Sequence, residues 1–282
     1  MTRLKTNDIQ HIGAQLADYD TELIKKTGCS LRGIACRAGG VQESDFEKVC
    51  GDLLVSIIPL TFGQGIIGGF CDTLASIVAH IGCSAFVAEV EDVAGLAEAY
   101  KRKADIIMLA DDDRFIAVHT RSRQVVDNSE ATGKGFTAGL SLMVGGLEKK
   151  DVLVIGCGPV GCAATQALVK LGSRVSIYDI NLSRSDDLAG RIKRLLDTEI
   201  HIARELDHAL TDHQFVIDAT PATDIIRSHH VTSDTYISAP GVPLGLDSEA
   251  QAKISNRLLH DPLQIGVATM VVNAMKYHIP QA

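Results

Sequence analysis

The fold of this 282-residue chain is decided by one stretch, Asp151-Val152-Leu153-Val154-Ile155-Gly156-Cys157-Gly158-Pro159-Val160-Gly161. Residues 151–155 form an apolar, largely β-branched run with the length of a buried strand. The three glycines of a G-x-G-x-x-G pattern follow at once, and residues 162–171 are predicted to form a helix. A strand, a glycine turn and a helix in this order are the context of the Rossmann dinucleotide fingerprint. A glycine turn that holds no ligand is the alternative interpretation.

Each glycine of the turn has an expected role. Gly156 permits the tight turn, Gly158 lets a diphosphate approach the backbone, and Gly161 lets the helix pack closely on the strand. The helix N-terminus supplies free N–H groups for the phosphates, and proline is tolerated in a first helical turn. We therefore expect the cofactor to be bound by Gly156, Cys157, Gly158, Pro159, Val160 and Gly161.

A second strand, 174–178, ends in Asp179, about 20 residues past the glycines, where a carboxylate accepts hydrogen bonds from both ribose hydroxyls. The same carboxylate repels a 2′-phosphate, so the sequence favours NAD over NADP. The nearby Arg184 leaves NADP open. Ile180, next to Asp179, is assigned to the same cofactor site.

Two further strand ends are expected at the cofactor. The strand that begins at Phe215 runs into Ala219-Thr220-Pro221, and the strand that begins at Tyr236 runs into Pro240-Gly241-Val242-Pro243. In Rossmann domains such strand ends lie beside the riboses and the nicotinamide. Thr220, Pro221 and Pro240 are therefore predicted cofactor contacts.

The first half of the chain predicts a smaller α/β unit. Helices are expected over 6–26 and 43–54, and strands over 55–60, 106–110 and 115–120. The segment 59–70 holds four glycines in an apolar stretch, which either approaches a ligand or only turns tightly. The expected class is α/β, with an N-terminal helical and α/β substrate domain at 1–147 and a C-terminal Rossmann domain at 148–282.

Composition limits the partners. The net charge of −8 argues against nucleic acid and anionic membranes, and no apolar run is long enough to cross a bilayer. The seven cysteines contain no C-x-x-C pair, and the N-terminus lacks an apolar signal region, so we expect reduced thiols in a cytoplasmic protein. No H-E-x-x-H spacing occurs, so no metal is expected.

Several segments, in order along the chain, match one known family: the 59–70 loop, Leu109-Ala110-Asp111-Asp112, the 156–161 fingerprint, Ala219-Thr220-Pro221, Pro240-Gly241-Val242-Pro243, and Asp261-Pro262-Leu263-Gln264-Ile265-Gly266. On these segments the chain resembles the pyrrolysine synthase family. It implies an NAD-dependent dehydrogenase whose substrate is 3-methyl-D-ornithine joined through an isopeptide bond to the lysine side-chain nitrogen. It also implies oxidation of the carbon that bears the terminal amine, loss of ammonia, and ring closure.

The resemblance also assigns substrate residues. It implies that Asp111 is the catalytic base, and that Leu4, Phe62, Ile66, Asp111 and Asp261 contact the substrate. Phe62 stands where the family pattern has a small polar residue. Asp261 stands where it has glutamate, which keeps the charge and shortens the reach.

Alternatives stay open at this point. The run Asp111-Asp112-Asp113 is also typical of a solvated acidic turn. The function could be that of another small amino-acid or shikimate-like NAD(P) dehydrogenase, or of a dinucleotide-binding protein without turnover. The expected partner is a small molecule, and a homodimer is left open.

Overall fold

The computed structural model describes residues 4–276. In this range the helices are α1 (Thr6–Ile9), α2 (Ile12–Thr27), α3 (Leu31–Gly39), α4 (Glu43–Cys50), α5 (Phe70–His80), α6 (Asp92–Lys101), α7 (Asn128–Met143), α8 (Pro159–Lys170), α9 (Leu182–Leu196), α10 (Leu206–Asp212), α11 (Ser248–Lys253) and α12 (Gln264–Met275). The strands are β1 (Leu54–Ile58), β2 (Ser84–Val87), β3 (Ile106–Ala110), β4 (Phe115–His119), β5 (Val125–Asp127), β6 (Asp151–Ile155), β7 (Arg174–Tyr178), β8 (His201–Ile202), β9 (Phe215–Asp218), β10 (Tyr236–Ala239) and β11 (Leu258–His260).

The chain divides into two compact units. The first contains the described residues 4–24, 29–135 and 263–276, and the second contains 25–28 and 136–262. The predicted boundary between 147 and 148 differs from this division in three places. Residues 25–28 and 136–147 group with the Rossmann unit, and the last helix, α12, groups with the first unit.

The second unit is built on a six-stranded sheet in the order β11-β10-β9-β6-β7-β8. Every pairing in it is parallel. The central strand β6 is buried on both faces, because Val152 and Val154 join one apolar cluster while Leu153 and Ile155 join another. Since all its strands run in one direction, the loops after β6, β7, β9 and β10 lie along one edge of the sheet. This arrangement confirms the predicted α/β class with a Rossmann unit.

The first unit contains a five-stranded mixed sheet in the order β2-β1-β3-β4-β5. β1 pairs in parallel with β2 and β3, whereas β4 pairs antiparallel with β3 and β5. The turn between β3 and β4 therefore lies at the carboxyl end of β3. It contains the acidic run that begins at Asp111.

The packing of α12 explains why residues 263–276 belong to the first unit. All of its residues are buried, and it packs against α3, α5 and β4. The approach to α3 is so close that a Cβ added at Gly39 would lie 2.7 Å from Cγ1 of Val272. A helix whose residues are mostly apolar and all buried must be packed on every side.

Most predicted elements exist, with shifted ends. The strands at 106–110, 151–155 and 174–178 have their predicted bounds. The helix predicted over 6–26 is two helices, with residues 10 and 11 between them, and the helix predicted over 43–54 ends at Cys50. It ends there because Leu54 begins β1, where its N–H donates to Oδ2 of Asp105 at 3.1 Å.

Candidate active site

In the glycine turn after β6, the packing of the protein excludes a side chain at two of the three glycines and leaves room for one at the third. A Cβ at Gly161 would lie 1.8 Å from the carbonyl oxygen of Gly156. Gly156 has a φ of +92°, and a Cβ there would lie 2.9 Å from the carbonyl oxygen of Ala219. A Cβ at Gly158 would meet no described atom within 4 Å. The space over Gly158 is therefore available to a ligand, as a diphosphate site requires.

The start of α8 fits an anion. Gly158 is the N-cap and Pro159 the first helical residue, and no side chain in the described range caps this end. The N–H groups of Val160 and Gly161 have no acceptor within the helix. The Sγ of Cys157 lies 3.6 Å from Oγ of Ser185. Burial raises the pKa of the Cys157 thiol to about 11, so the thiol is neutral.

Asp179 is fixed beside this turn. Its Oδ2 accepts the backbone N–H of Cys157 at 2.8 Å, and its Oδ1 accepts the backbone N–H of Asn181 at 2.8 Å. The neighbouring Ile180 is 93% exposed. A fixed carboxylate and an exposed apolar side chain suit a ribose and the base attached to it.

The loop after β9 is held by a residue that the sequence analysis did not assign. Asp218 is fully buried, and its Oδ1 accepts both the N–H of Thr220 at 3.1 Å and the Thr220 hydroxyl at 2.8 Å. Burial raises the pKa of Asp218 to about 6, although the bonds from Thr220 act in the opposite direction. A sequence signal was present, because Asp218 ends an apolar strand as Asp179 does. Pro221 is exposed and Pro240 half-buried, each at the end of its strand.

In the first unit, Asp111 shapes the turn after β3. Its Oδ1 accepts the N–H groups of Asp113 at 2.8 Å and Arg114 at 2.7 Å, and its own N–H donates to the carbonyl of Arg114. The side chain is exposed. Asp111 is thus part of an acidic turn, as one interpretation predicted. Its Oδ2 takes no hydrogen bond from the described residues.

Asp112 connects this turn to the glycine-rich loop of 59–70. Its Oδ2 accepts the N–H of Gln64 at 2.7 Å. A Cβ at Gly63, whose φ is +80°, would lie 2.1 Å from the same oxygen. The structure therefore brings together the acidic turn and the loop that carries Phe62 and Ile66. These two apolar side chains are 70% and 45% exposed.

The remaining predicted substrate residues lie in both units. Leu4 is half-buried just before α1, and Thr6 at the start of that helix lies close to Gly68 of the glycine-rich loop. Asp261 belongs to the second unit, where it is buried directly after β11. Only the resemblance points to Asp261, and no local sequence signal indicates its burial.

Two further features concern the described range as a whole. Between residues 4 and 276 no group of three or more His, Cys, Asp or Glu side chains is arranged to hold a metal ion. No helix in that range has the length and apolar character needed to span a bilayer.

Comparison with known proteins decides the family. Residues 8–126 match the family model described as pyrrolysine biosynthesis protein PylD, N-terminal domain, and residues 125–233 match the C-terminal domain of alanine dehydrogenase/PNT. The pyrrolysine synthase of Methanosarcina barkeri is 31% identical over 98% of this chain and 98% of its own length. The chain belongs to the pyrrolysine synthase family. A second member, from Methanosarcina acetivorans, is 30% identical over 98% of the chain and 100% of its own length.

The fold is shared more widely. Quinate dehydrogenase from Corynebacterium glutamicum, solved in complex with NAD, covers 79% of this chain and 92% of its own with a TM-score of 0.54. At 14% identity this similarity shows the fold alone. The chain is thus a member of a pyrrolysine-biosynthesis family built on a dehydrogenase fold with a dinucleotide-binding unit. The resemblance stated from the sequence is confirmed.

Proposed function

We propose that this chain is an NAD-dependent dehydrogenase acting on a CH–NH2 donor, 3-methyl-D-ornithyl-Nε-L-lysine, and that it forms pyrrolysine. The observation that carries the proposal is the match to two pyrrolysine synthases, at 30% and 31% identity, over nearly the whole chain. The open space over Gly158 and the uncapped start of α8 support a diphosphate site in the second unit.

We propose NAD rather than NADP as the cofactor. Both oxygens of Asp179 are already oriented by backbone N–H groups, and each carboxylate oxygen still has capacity to accept a ribose hydroxyl. A 2′-phosphate would place negative charge against that carboxylate. Arg184, in the first turn of α9, is the residue that would offset this repulsion.

NAD, when bound, supplies the acceptor for the hydride that leaves the carbon bearing the terminal amine. That carbon releases a hydride only after the ammonium has lost a proton, because the nitrogen must donate its lone pair. Asp111 is suited to take this proton, since the turn holds Oδ1 while Oδ2 takes no bond from the described residues. We assign Asp111 this role.

The remaining steps require only water. Loss of the hydride from the free amine leaves an iminium ion. Water adds to it, and the nitrogen leaves as ammonium to give an aldehyde. The α-amine of the ornithine part then attacks the aldehyde, and one water is returned as the pyrroline ring closes.

We assign Leu4, Phe62 and Ile66 to apolar contacts with this substrate, and Asp261 to one of its amines. The exposure of Phe62 and Ile66 on a loop tied to the acidic turn supports their assignment. Apolar side chains exposed on a glycine-rich loop are typical of ligand-binding segments.

The test uses the full-length chain with NAD and the synthetic lysine–methylornithine adduct. We expect NADH to appear together with ammonium and with a product of the mass of pyrrolysine. Absence of NADH and of the ring product at saturating NAD would overturn the proposal. NADH formed from quinate or shikimate instead would place the chain with the other dehydrogenases of this fold.

A further inference from the structure

Three loops of the second unit meet at Asp218. The loop after β9 is bound to it through the N–H and the hydroxyl of Thr220. The loop after β10 contacts it through Gly241, whose N–H donates to the Asp218 carbonyl at 3.2 Å. The turn after β6 contacts Thr220, since a Cβ at Gly156 would lie 2.9 Å from Cγ2 of Thr220. Asp218 thus lies at the contact point of the loops that form the predicted cofactor edge.

The packing around this carboxylate admits only small residues. A Cβ at Gly245 would lie 2.0 Å from Oδ2 of Asp218. A Cβ at Gly241 would lie 2.0 Å from the carbonyl oxygen of Thr220. The loop after β10 is therefore fitted against Asp218 and Thr220 together. A displacement of either residue would move that loop.

Asp218 is also poorly compensated for a buried carboxylate. Among the described residues, no group donates to Oδ2. Burial raises its pKa and the two bonds from Thr220 lower it, while no neighbouring charge offsets the desolvation. A buried carboxylate with one unpaired oxygen lowers stability, and such groups are typical of functional sites.

We propose that Asp218 is a positioning residue of the dinucleotide site. By accepting both donors of Thr220, its carboxylate fixes the loop after β9 against the glycine turn and against the loop after β10. The proposal rests on the proposed function only in requiring that the second unit binds NAD. It does not depend on the substrate or on the reaction.

The test is calorimetric titration of NAD into the full-length chain and four variants. Asp218→Ala removes the acceptor, and Asp218→Asn keeps a carbonyl oxygen for Thr220 while removing the charge. Thr220→Val removes the hydroxyl, and Asp218→Ala/Thr220→Val closes a double-mutant cycle. Ser173→Ala is the matched control, because it deletes a buried 2.9 Å bond to the Leu147 carbonyl at the opposite, amino-terminal edge of the sheet.

We expect Asp218→Ala to weaken NAD binding about tenfold or more, the effect of losing one to two hydrogen bonds that order a site. Asp218→Asn should bind within about threefold of the unmodified chain. Thr220→Val should weaken NAD binding. The double variant should bind NAD with the same affinity as Asp218→Ala alone. Ser173→Ala should leave NAD affinity unchanged.

Unchanged affinity in Asp218→Ala, or equal losses in its alanine and asparagine variants, would overturn the proposal. If Asp218→Ala does not fold, Thr220→Val decides alone, and unchanged affinity in it would overturn the proposal. Failure of the unmodified chain to bind NAD would instead contradict the proposed function.

Discussion

Cys157 donates its backbone N–H to Oδ2 of Asp179 over 2.8 Å, so the turn after β6 and the end of β7 are held to each other. The second oxygen is engaged by Asn181. The carboxylate therefore has a fixed orientation before any ligand arrives. A preoriented acceptor lowers the ordering cost of binding.

Replacement of Asp179 should change both cofactor affinity and cofactor choice. Asp179→Ala removes a fixed, charged acceptor, and NAD affinity should fall roughly 10- to 100-fold. The preference for NAD over NADP should narrow, because the repulsion of the 2′-phosphate is lost. Calorimetry with both dinucleotides measures this, and Asp186→Ala, an exposed position on α9, is the charge-matched control. An unchanged NAD/NADP ratio would contradict the assignment.

The three fingerprint glycines should respond differently to alanine. Gly161→Ala should destabilise the fold, because its Cβ would lie 1.8 Å from the Gly156 carbonyl oxygen. Gly158→Ala should unfold at the same temperature as the unmodified chain, since its Cβ meets no described atom within 4 Å. It should nonetheless bind NAD at least about tenfold more weakly, because the methyl group occupies the diphosphate space. Normal NAD binding by Gly158→Ala would show that the space serves another purpose.

The stability of the chain should depend on pH through Asp218. Burial raises its pKa from 3.8 to about 6, so between these values the folded chain binds more protons than the unfolded chain. Stability therefore falls as pH rises through this window, by about 3 kcal/mol in total. The asparagine side chain of Asp218→Asn cannot ionise, so this variant should not lose stability in this way as the pH rises.

Urea unfolding of both proteins between pH 4 and pH 7.5 measures the effect as a difference, in which other carboxylates cancel. Relative to Asp218→Asn, the unmodified chain should lose stability with rising pH until roughly pH 7. If the difference in free energy of unfolding between the two proteins does not change with pH, the pKa of Asp218 is not raised in the folded chain.

Asp111 should affect turnover and leave cofactor binding unchanged. Asp111→Asn keeps Oδ1 as acceptor for the N–H groups of the turn and removes the base, so kcat should fall about 100-fold or more. NAD affinity should not change. The control is Asp113→Asn, which removes an exposed charge from the same turn. A similar kcat loss in both variants would assign the effect to the charge of the turn.

The parts of the fold that were predictable from sequence are those with local signals. The run 151–155, the glycines and Asp179 follow one another closely, and each is specified by its neighbours. The helix α12 is mostly apolar, and such a composition predicts burial without identifying the partner. Its packing against α3 is a long-range contact that no local pattern reveals, so the predicted boundary leaves α12 in the Rossmann domain.

The candidate site also combines residues with local sequence signals and residues placed by long-range contacts. Asp111 was predicted because the resemblance covers its strand end. The bond from the Gln64 N–H to Asp112 and the burial of Asp218 depend on where distant segments meet. The two-residue strand β8 is too short to show any periodicity. These features could be read only from the assembled structure.

The most direct test of the account follows the hydrogen itself. The adduct is prepared with deuterium on the carbon that bears the terminal amine and is incubated with the full-length chain and NAD, and the NADH formed is analysed by mass spectrometry. The account predicts NADH that carries one deuterium, with one ammonium released for each NADH. NADH without deuterium, or ring product formed without NADH, would contradict it.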